Sequence, residues 1–227
     1  MEEFRDRDHI KSFAIRATRM SPSQRRAYDE LYGKYCVPPG SELIQPADLF
    51  AAPQNPVYLE IGFGMGDATA EMARNLPDVN FLGIEVHKPG VGKLLSAIER
   101  GALPNVRIIN EDALVIVERM IPEQSLDGIL IFFPDPWPKT RHHKRRIVRD
   151  GFVKLLGSRL KRGGFLYAVT DWVEYSEWML DVLSRAHHLV NAYESYASPL
   201  PWRPETAFER KGRAAGNEIR ELYFVRS

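Results

Sequence analysis

Acidic side chains at the ends of apolar runs, and one loop of alternating glycines, carry the most legible chemistry in this sequence. Val57 to Ile61 is short and apolar and leads into Gly62-Phe63-Gly64-Met65-Gly66, with Glu60 two residues before the first glycine. Glycines between a strand and a helix let the backbone turn sharply and approach a ligand closely. A dinucleotide fingerprint needs a glycine at position 67, where Asp67 stands, so the spacing counts against NAD. A carboxylate beside such a loop suits a cationic amine, whereas a bare helix N-terminus suits a phosphate. Glu85 closes the next apolar run, where a carboxylate can accept from ribose hydroxyls. Asp112 follows the third run, where it can accept from an adenine amino group. Any one of these acids alone reads as a solvated strand end; the ordered set reads as a ligand site.

A second constellation follows the fourth apolar run, in Phe133-Pro134-Asp135-Pro136-Trp137-Pro138-Lys139. Prolines stop a strand and stiffen what comes after it. In an open parallel sheet that end faces the ligand crevice, so Asp135 and Trp137 are expected there. An aromatic ring can stack on a flat base, and a carboxylate can accept from amino groups or ring N–H. A packed tryptophan in a stiff loop would account for Trp137 but leaves Asp135 without a purpose. Next comes Lys139-Thr140-Arg141-His142-His143-Lys144-Arg145-Arg146, with no acid before Asp150. Charge runs are commonly solvated helix faces. This one adjoins the candidate site, and so reads as a phosphate-binding footprint that sets register and carries little base information. The His142-His143 pair has no further candidate ligands nearby, so no metal site is expected.

The elements that must hold these groups alternate. Apolar strands are expected at 57–61, 79–85, 106–109, 128–133 and 165–170, with helix-length segments between them, for example 67–75 and 91–99. That alternation predicts a parallel sheet covered on both faces. Two further strands, near 188–192 and 219–225, suit an antiparallel edge. Ser21 and Pro22 read as the cap and first turn of a helix running to about Gly33. Pro38-Pro39-Gly40 breaks the chain, and residues 51–56 read as a linker. The first forty residues carry Lys11, Arg16, Arg19, Arg25 and Arg26, either a second phosphate contact or a mobile tail.

The 227 residues suit one substantial domain with appendages. With 44% hydrophobic and 27% charged residues, wholesale disorder is not expected. The net charge of +1 gives no global argument for nucleic acid, which leaves the local basic run to carry it. The lone Cys36 cannot form an internal disulfide, the N-terminus lacks the basic-then-apolar order of a signal peptide, and no apolar run is long enough to span a bilayer. A cytoplasmic protein is expected, without membrane association or metal; a monomer is expected, with a homodimer left open.

Glu60 placed two residues before the glycines is the pattern of methyltransferases that bind S-adenosylmethionine, and the Pro-Asp-Pro-Trp corner loosely resembles the Asp/Asn-Pro-Pro-aromatic motif of base-directed N-methyltransferases. The sequence resembles the bacterial tRNA (guanine-N7)-methyltransferases over nearly its whole length. The resemblance is carried by Ser12-Phe13 through Arg19-Met20, the 59–66 loop, the 132–139 corner, and Arg141 to Arg146; Thr206-Ala207-Phe208-Glu209 matches the family's Thr-Lys/Arg-Phe/Tyr-Glu motif, with Ala207 replacing its basic residue. It implies a Rossmann-like class I α/β fold of seven mostly parallel strands with helices on both faces and an antiparallel edge strand. It divides the chain into a basic arm and helix (1–50) and a methyltransferase domain (51–227). The implied reaction is methylation of the variable-loop guanine at conventional tRNA position 46. Glu60, Gly62, Gly64, Gly66, Glu85, Asp112 and Asp135 would hold the cofactor, with Asp135 catalytic. Lys139, Asp171, Thr206, Ala207, Phe208 and Glu209 would hold the guanine, and Arg141, His142, His143, Lys144, Arg145 and Arg146 the RNA. A different methyl acceptor, a nicotinamide oxidoreductase and a non-catalytic RNA-binding protein are the competing readings.

Overall fold

A computed structural model of the chain describes residues 10–13 and 19–227; Arg16 and the acidic start of the chain lie outside the described residues. The strands are β1 (Val57–Ile61), β2 (Asn80–Ile84), β3 (Val106–Ile109), β4 (Leu126–Phe132), β5 (Leu160–Thr170), β6 (Leu189–Asn191) and β7 (Arg220–Arg226). They form one seven-stranded sheet in the order β3-β2-β1-β4-β5-β7-β6. The first five in that order are parallel. β7 runs antiparallel to β5, and β6 antiparallel to β7. The chain builds outward from β1 to β3, then returns to β4 on the other flank of β1, and a crevice opens where the direction reverses.

The strands alternate two sets of buried side chains. Leu59, Leu82, Ile84, Ile129, Ile131, Leu166 and Ala168 pack on one face; Phe81, Ile108, Leu130, Phe132, Tyr167 and Val169 pack on the other. Burial on both faces explains the near-continuous apolar runs. The first face is covered by α4 (Ala113–Arg119), α5 (Asp150–Arg159) and α6 (Val173–Ser184), and the second by α1 (Pro22–Tyr35), α2 (Asp67–Asn75) and α3 (Lys88–Gly101). A last helix, α7 (Ala207–Ala214), precedes β7.

Ser21 caps α1 as expected, with a reciprocal bond from Gln24, and the helix runs to Tyr35, one half-turn beyond Gly33. Val37 then donates to the Ile108 carbonyl at 2.8 Å, and Ile44 to the Met120 carbonyl at 2.9 Å, so the chain after α1 lies along β3 and the end of α4. β5 begins at Leu160, ahead of the expected 165, because a register shift against β4 takes in its polar first turn. Among the described residues no helix is long and apolar enough to cross a membrane.

Candidate active site

Three left-handed glycines, at φ of 74° for Gly62, 60° for Gly64 and 75° for Gly66, carry the chain from β1 into α2. L side chains rarely adopt that conformation, which gives glycine its use here. A Cβ built on Gly62 or Gly64 meets nothing within 4 Å, so the loop borders open space. Behind it α3 presses close: a Cβ on Gly90 would lie 1.9 Å from the Gly64 carbonyl oxygen.

Glu85 holds this loop directly, Glu60 lies behind it against α2, and Asp112 follows β3, two strands from β1. The Glu85 carboxylate accepts from the backbone N–H of Gly64 (2.8 Å), Val86 (2.7 Å) and His87 (2.9 Å). Burial raises its pKa, against the lowering effect of those bonds. Glu60 is 2% exposed and accepts from the Thr69 hydroxyl at 2.7 Å. Burial, with some help from the nearby Glu85 charge, pushes its carboxyl up to about 7. Asp112 caps α4 by accepting from the Leu114 N–H at 3.0 Å. Asn110, which the sequence did not single out, ties the ends of β2 and β3 together by donating to the Glu85 carbonyl at 2.6 Å. An open glycine turn held by Glu85, with the buried Glu60 carboxyl behind it and Asp112 after the next strand but one, fits S-adenosylmethionine with its cationic amine, its ribose diol and its adenine.

Across the switch point, β4 ends in a strained corner. Phe133 (φ 49°) and Trp137 (φ 46°) are both left-handed. Such residues cost about 1–3 kcal/mol each and persist where the surroundings enforce them, as at functional sites. Asp135 lies exposed between them. Phe133 stacks on Phe208, with ring centroids 6.4 Å apart and planes 18° from parallel. Trp137 carries the Arg145 guanidinium 3.8 Å above its ring and donates to the Ser12 carbonyl at 3.1 Å. Arg145 in turn donates to the carbonyls of Lys11 (3.1 Å) and Phe13 (3.0 Å), so residues 11–13 dock on the corner.

The basic run is a 3-10 turn, Thr140–Arg145, and the structure divides it. Lys139, Arg141 and Lys144 are exposed. Desolvation, then the charges of Arg141, Arg145, Lys139 and Lys144, hold His142 below its ordinary pKa. Arg146 is the exception to the expected phosphate footprint: its side chain is 0% exposed and engaged by Glu174, so it has no surface to offer RNA.

Asp171, at the end of β5, accepts from Asn217 at 3.0 Å and lies so close to α7 that a Cβ on Gly212 would come within 2.7 Å of it. Thr206 caps α7 by accepting from the Glu209 N–H at 3.0 Å. Phe208 is 62% exposed, and Ala207 is exposed beside it. Glu209 departs from the expected guanine contact: it is 2% exposed, and its oxygens accept from Arg203 at 2.5 Å and Arg213 at 2.8 Å. Arg203 also binds Glu221 at 2.6 Å and the Tyr167 hydroxyl at 3.0 Å, a buried network that roots α7 in the sheet. Thr206-x-x-Glu209 has the spacing of a helix start, a local signal that already pointed to capping. Among the described residues no group of three or more His, Cys, Asp or Glu side chains is placed to hold a metal ion.

Residues 54–222 match the model of a family described as "Putative methyltransferase". A tRNA (guanine-N(7)-)-methyltransferase of Methylobacillus flagellatus is 46% identical over 217 residues, spanning 96% of this chain and 91% of its own. One from Neisseria meningitidis is 48% identical over 219 residues, with the same shares of 96% and 91%. Among solved structures, the 16S rRNA methyltransferase KamB superposes with a TM-score of 0.57 at 15% identity, covering 93% of this chain and 97% of its own. The aminoglycoside resistance methyltransferase NpmB1 gives 0.54 at 16% identity, covering 82% and 95%. At those identities the two structures share the fold.

Proposed function

The chain belongs to the bacterial tRNA (guanine-N(7)-)-methyltransferase family, and we propose that its crevice transfers a methyl group from S-adenosylmethionine to N7 of the variable-loop guanine at conventional tRNA position 46. It is an S-adenosylmethionine-dependent methyltransferase acting on guanine N7 of tRNA; the position within the tRNA and the residue roles below are our assignment. One observation carries the residue roles; the position rests on the family resemblance. Glu60, Glu85 and Asp112 end neighbouring strands on one flank of the switch point, and Asp135 and Asp171 end neighbouring strands on the other.

S-adenosylmethionine supplies an electrophilic methyl on a sulfonium sulfur. Guanine N7 has an in-plane lone pair and no proton, so the protein has no proton to remove before attack; its task is alignment and exclusion of water. Glu60 meets the amine, Glu85 the ribose hydroxyls and Asp112 the adenine, with the glycine turn allowing close approach. Asp135, exposed on a stiff corner, orients the guanine and balances the positive charge the purine gains. Lys139 donates to O6, next to N7 on the same base edge. Asp171, Thr206 and Phe208 close the guanine side, Phe208 by stacking beside Phe133, while Ala207 contributes backbone groups. Glu209 acts from beneath by holding α7 in place. Arg141 and Lys144, with His142, His143 and the corner-bound Arg145 behind them, form the cationic track for phosphates. The proposed working unit is a cytoplasmic monomer that needs no metal.

The test of position is mass mapping of nuclease fragments after incubation of unmodified tRNA with enzyme and cofactor. The added methyl should fall in the variable-loop fragment alone; a methyl elsewhere overturns the assignment of position.

A further inference from the structure

The geometry points to Arg146 as a positioning residue for the corner that carries Asp135 rather than a contact for RNA. This rests on the reading of Asp135 given above and extends it. In sequence Arg146 is one cation in a run of them. In the fold it lies beneath the corner, with its guanidinium fully enclosed. Nε donates to the Pro136 carbonyl at 2.9 Å, which fixes the peptide between Pro136 and the left-handed Trp137. One Nη donates to Glu174 at 3.0 Å; the other meets the second Glu174 oxygen and lies 3.1 Å from the His143 ring nitrogen. The guanidinium carbon sits 4.8 Å from the Tyr175 ring centre and 5.0 Å from that of Trp178. Both rings are themselves anchored to the residue after next: the Tyr175 hydroxyl accepts from the Val148 N–H at 3.3 Å, and Trp178 donates to the Val148 carbonyl at 2.8 Å.

Glu174 is in the first turn of α6, three residues after Asp171. Arg146 therefore ties the residue following Asp135 to the helix following Asp171, and sets the spacing of the two acids that face the guanine. Only a planar fork spans these partners together: a lysine ammonium is a single point of charge and cannot reach the Pro136 carbonyl and both Glu174 oxygens in one geometry. The strained backbone at Phe133 and Trp137 gives the corner a reason to relax once that fork is removed.

The test is Arg146→Lys with Glu174→Gln, compared with wild type and with the doubly substituted Arg141→Ala/Lys144→Ala. Arg146→Lys should lower kcat by about a hundredfold, the scale of a misplacement near 1 Å. Affinity for S-adenosylmethionine and for tRNA should stay within about twofold, and the slope of log affinity against log salt should not move. Glu174→Gln should lower kcat in the same sense, by less. Independently of turnover, hydrogen exchange followed by mass spectrometry should speed up in peptides covering 133–139 and stay unchanged in β1 to β3. A flattened salt slope with kcat preserved would make Arg146 an RNA contact and overturn the proposal, as would unchanged exchange at 133–139. If Arg146→Lys does not fold, Glu174→Gln decides: unchanged kcat and exchange there refute it. A wild-type enzyme that leaves tRNA unmethylated would instead refute the functional reading, and the exchange result would still decide the role of Arg146.

Discussion

Replacing Glu60 by glutamine removes a buried titratable group while keeping its shape, and so separates what the residue costs the fold from what it gives the site. Burial, then the Glu85 charge, moves its pKa from an ordinary 4.5 to about 7, with the Thr69 hydrogen bond opposing. The folded protein therefore holds this proton more tightly than the unfolded chain does. Its stabilising share is fully present below the ordinary carboxylate value and is lost as pH rises through about 7. At about 1.4 kcal/mol per pH unit the displacement amounts to about 3 kcal/mol at pH 8. The glutamine amide must also find a partner, which lowers the expected gain to about 1–3 kcal/mol. For a chain of this size that corresponds to roughly 3–10 °C in Tm. Thermal melts without cofactor should show the variant more stable than wild type at pH 8, and the margin should shrink toward pH 5. Calorimetric titration with S-adenosylmethionine should show the opposite ranking, with weaker binding and no gain in affinity as pH rises through 7. A variant no more stable at pH 8, or one that binds cofactor as wild type does, refutes the placement of a strained carboxyl beside the cofactor amine.

Asp135→Ala should abolish turnover while leaving most cofactor affinity intact, read by titration beside single-turnover rates; unchanged turnover removes Asp135 from the mechanism. Arg141→Ala with Lys144→Ala should weaken binding to all tRNAs alike and reduce the salt slope by about one for each phosphate that is no longer neutralised, measured by filter binding across a salt series. Gly90→Ala drives a methyl group into the Gly64 carbonyl and should cut cofactor affinity by at least about tenfold, with tRNA affinity kept; calorimetry reads both. Arg203→Met leaves Glu221 buried without its cation and Glu209 with Arg213 alone, and should destabilise by about 3–5 kcal/mol in denaturant melts at neutral pH.

Strands and strand-end acids were legible for a simple reason. A parallel strand buried on both faces has to be apolar, so Val57 to Ile61 stands out, and acids repeated at the ends of successive strands, Glu60, Glu85 and Asp112, read together as a site where each alone would not. Helix α1 was legible through Ser21 and Pro22, whose cap chemistry is local. The basic run was not, because Arg141 and Arg146 are the same residue type in the same setting; what separates them is Glu174, 28 positions from Arg146, together with the aromatic pair beside it. Glu209 escaped for the same reason. Its partner Arg203 lies close in sequence, but burial of the pair depends on Glu221 and Tyr167 from two strands of the sheet. Trp137 is expected to face a base, and its bond to Ser12, 125 positions away, is one that no local pattern shows. Local chemistry is written locally, while pairings across the fold are settled by which surfaces the sheet brings together.

The atom methylated is the ring nitrogen N7 of guanine. A tRNA transcript made with 7-deazaguanosine, which has carbon in place of that nitrogen, tests it directly. With labelled S-adenosylmethionine, the ordinary transcript should take up label that digestion recovers as 7-methylguanosine, and the deaza transcript should take up none while still binding the enzyme. Label on the deaza transcript, or label recovered from the ordinary one in any other nucleoside, would contradict the account.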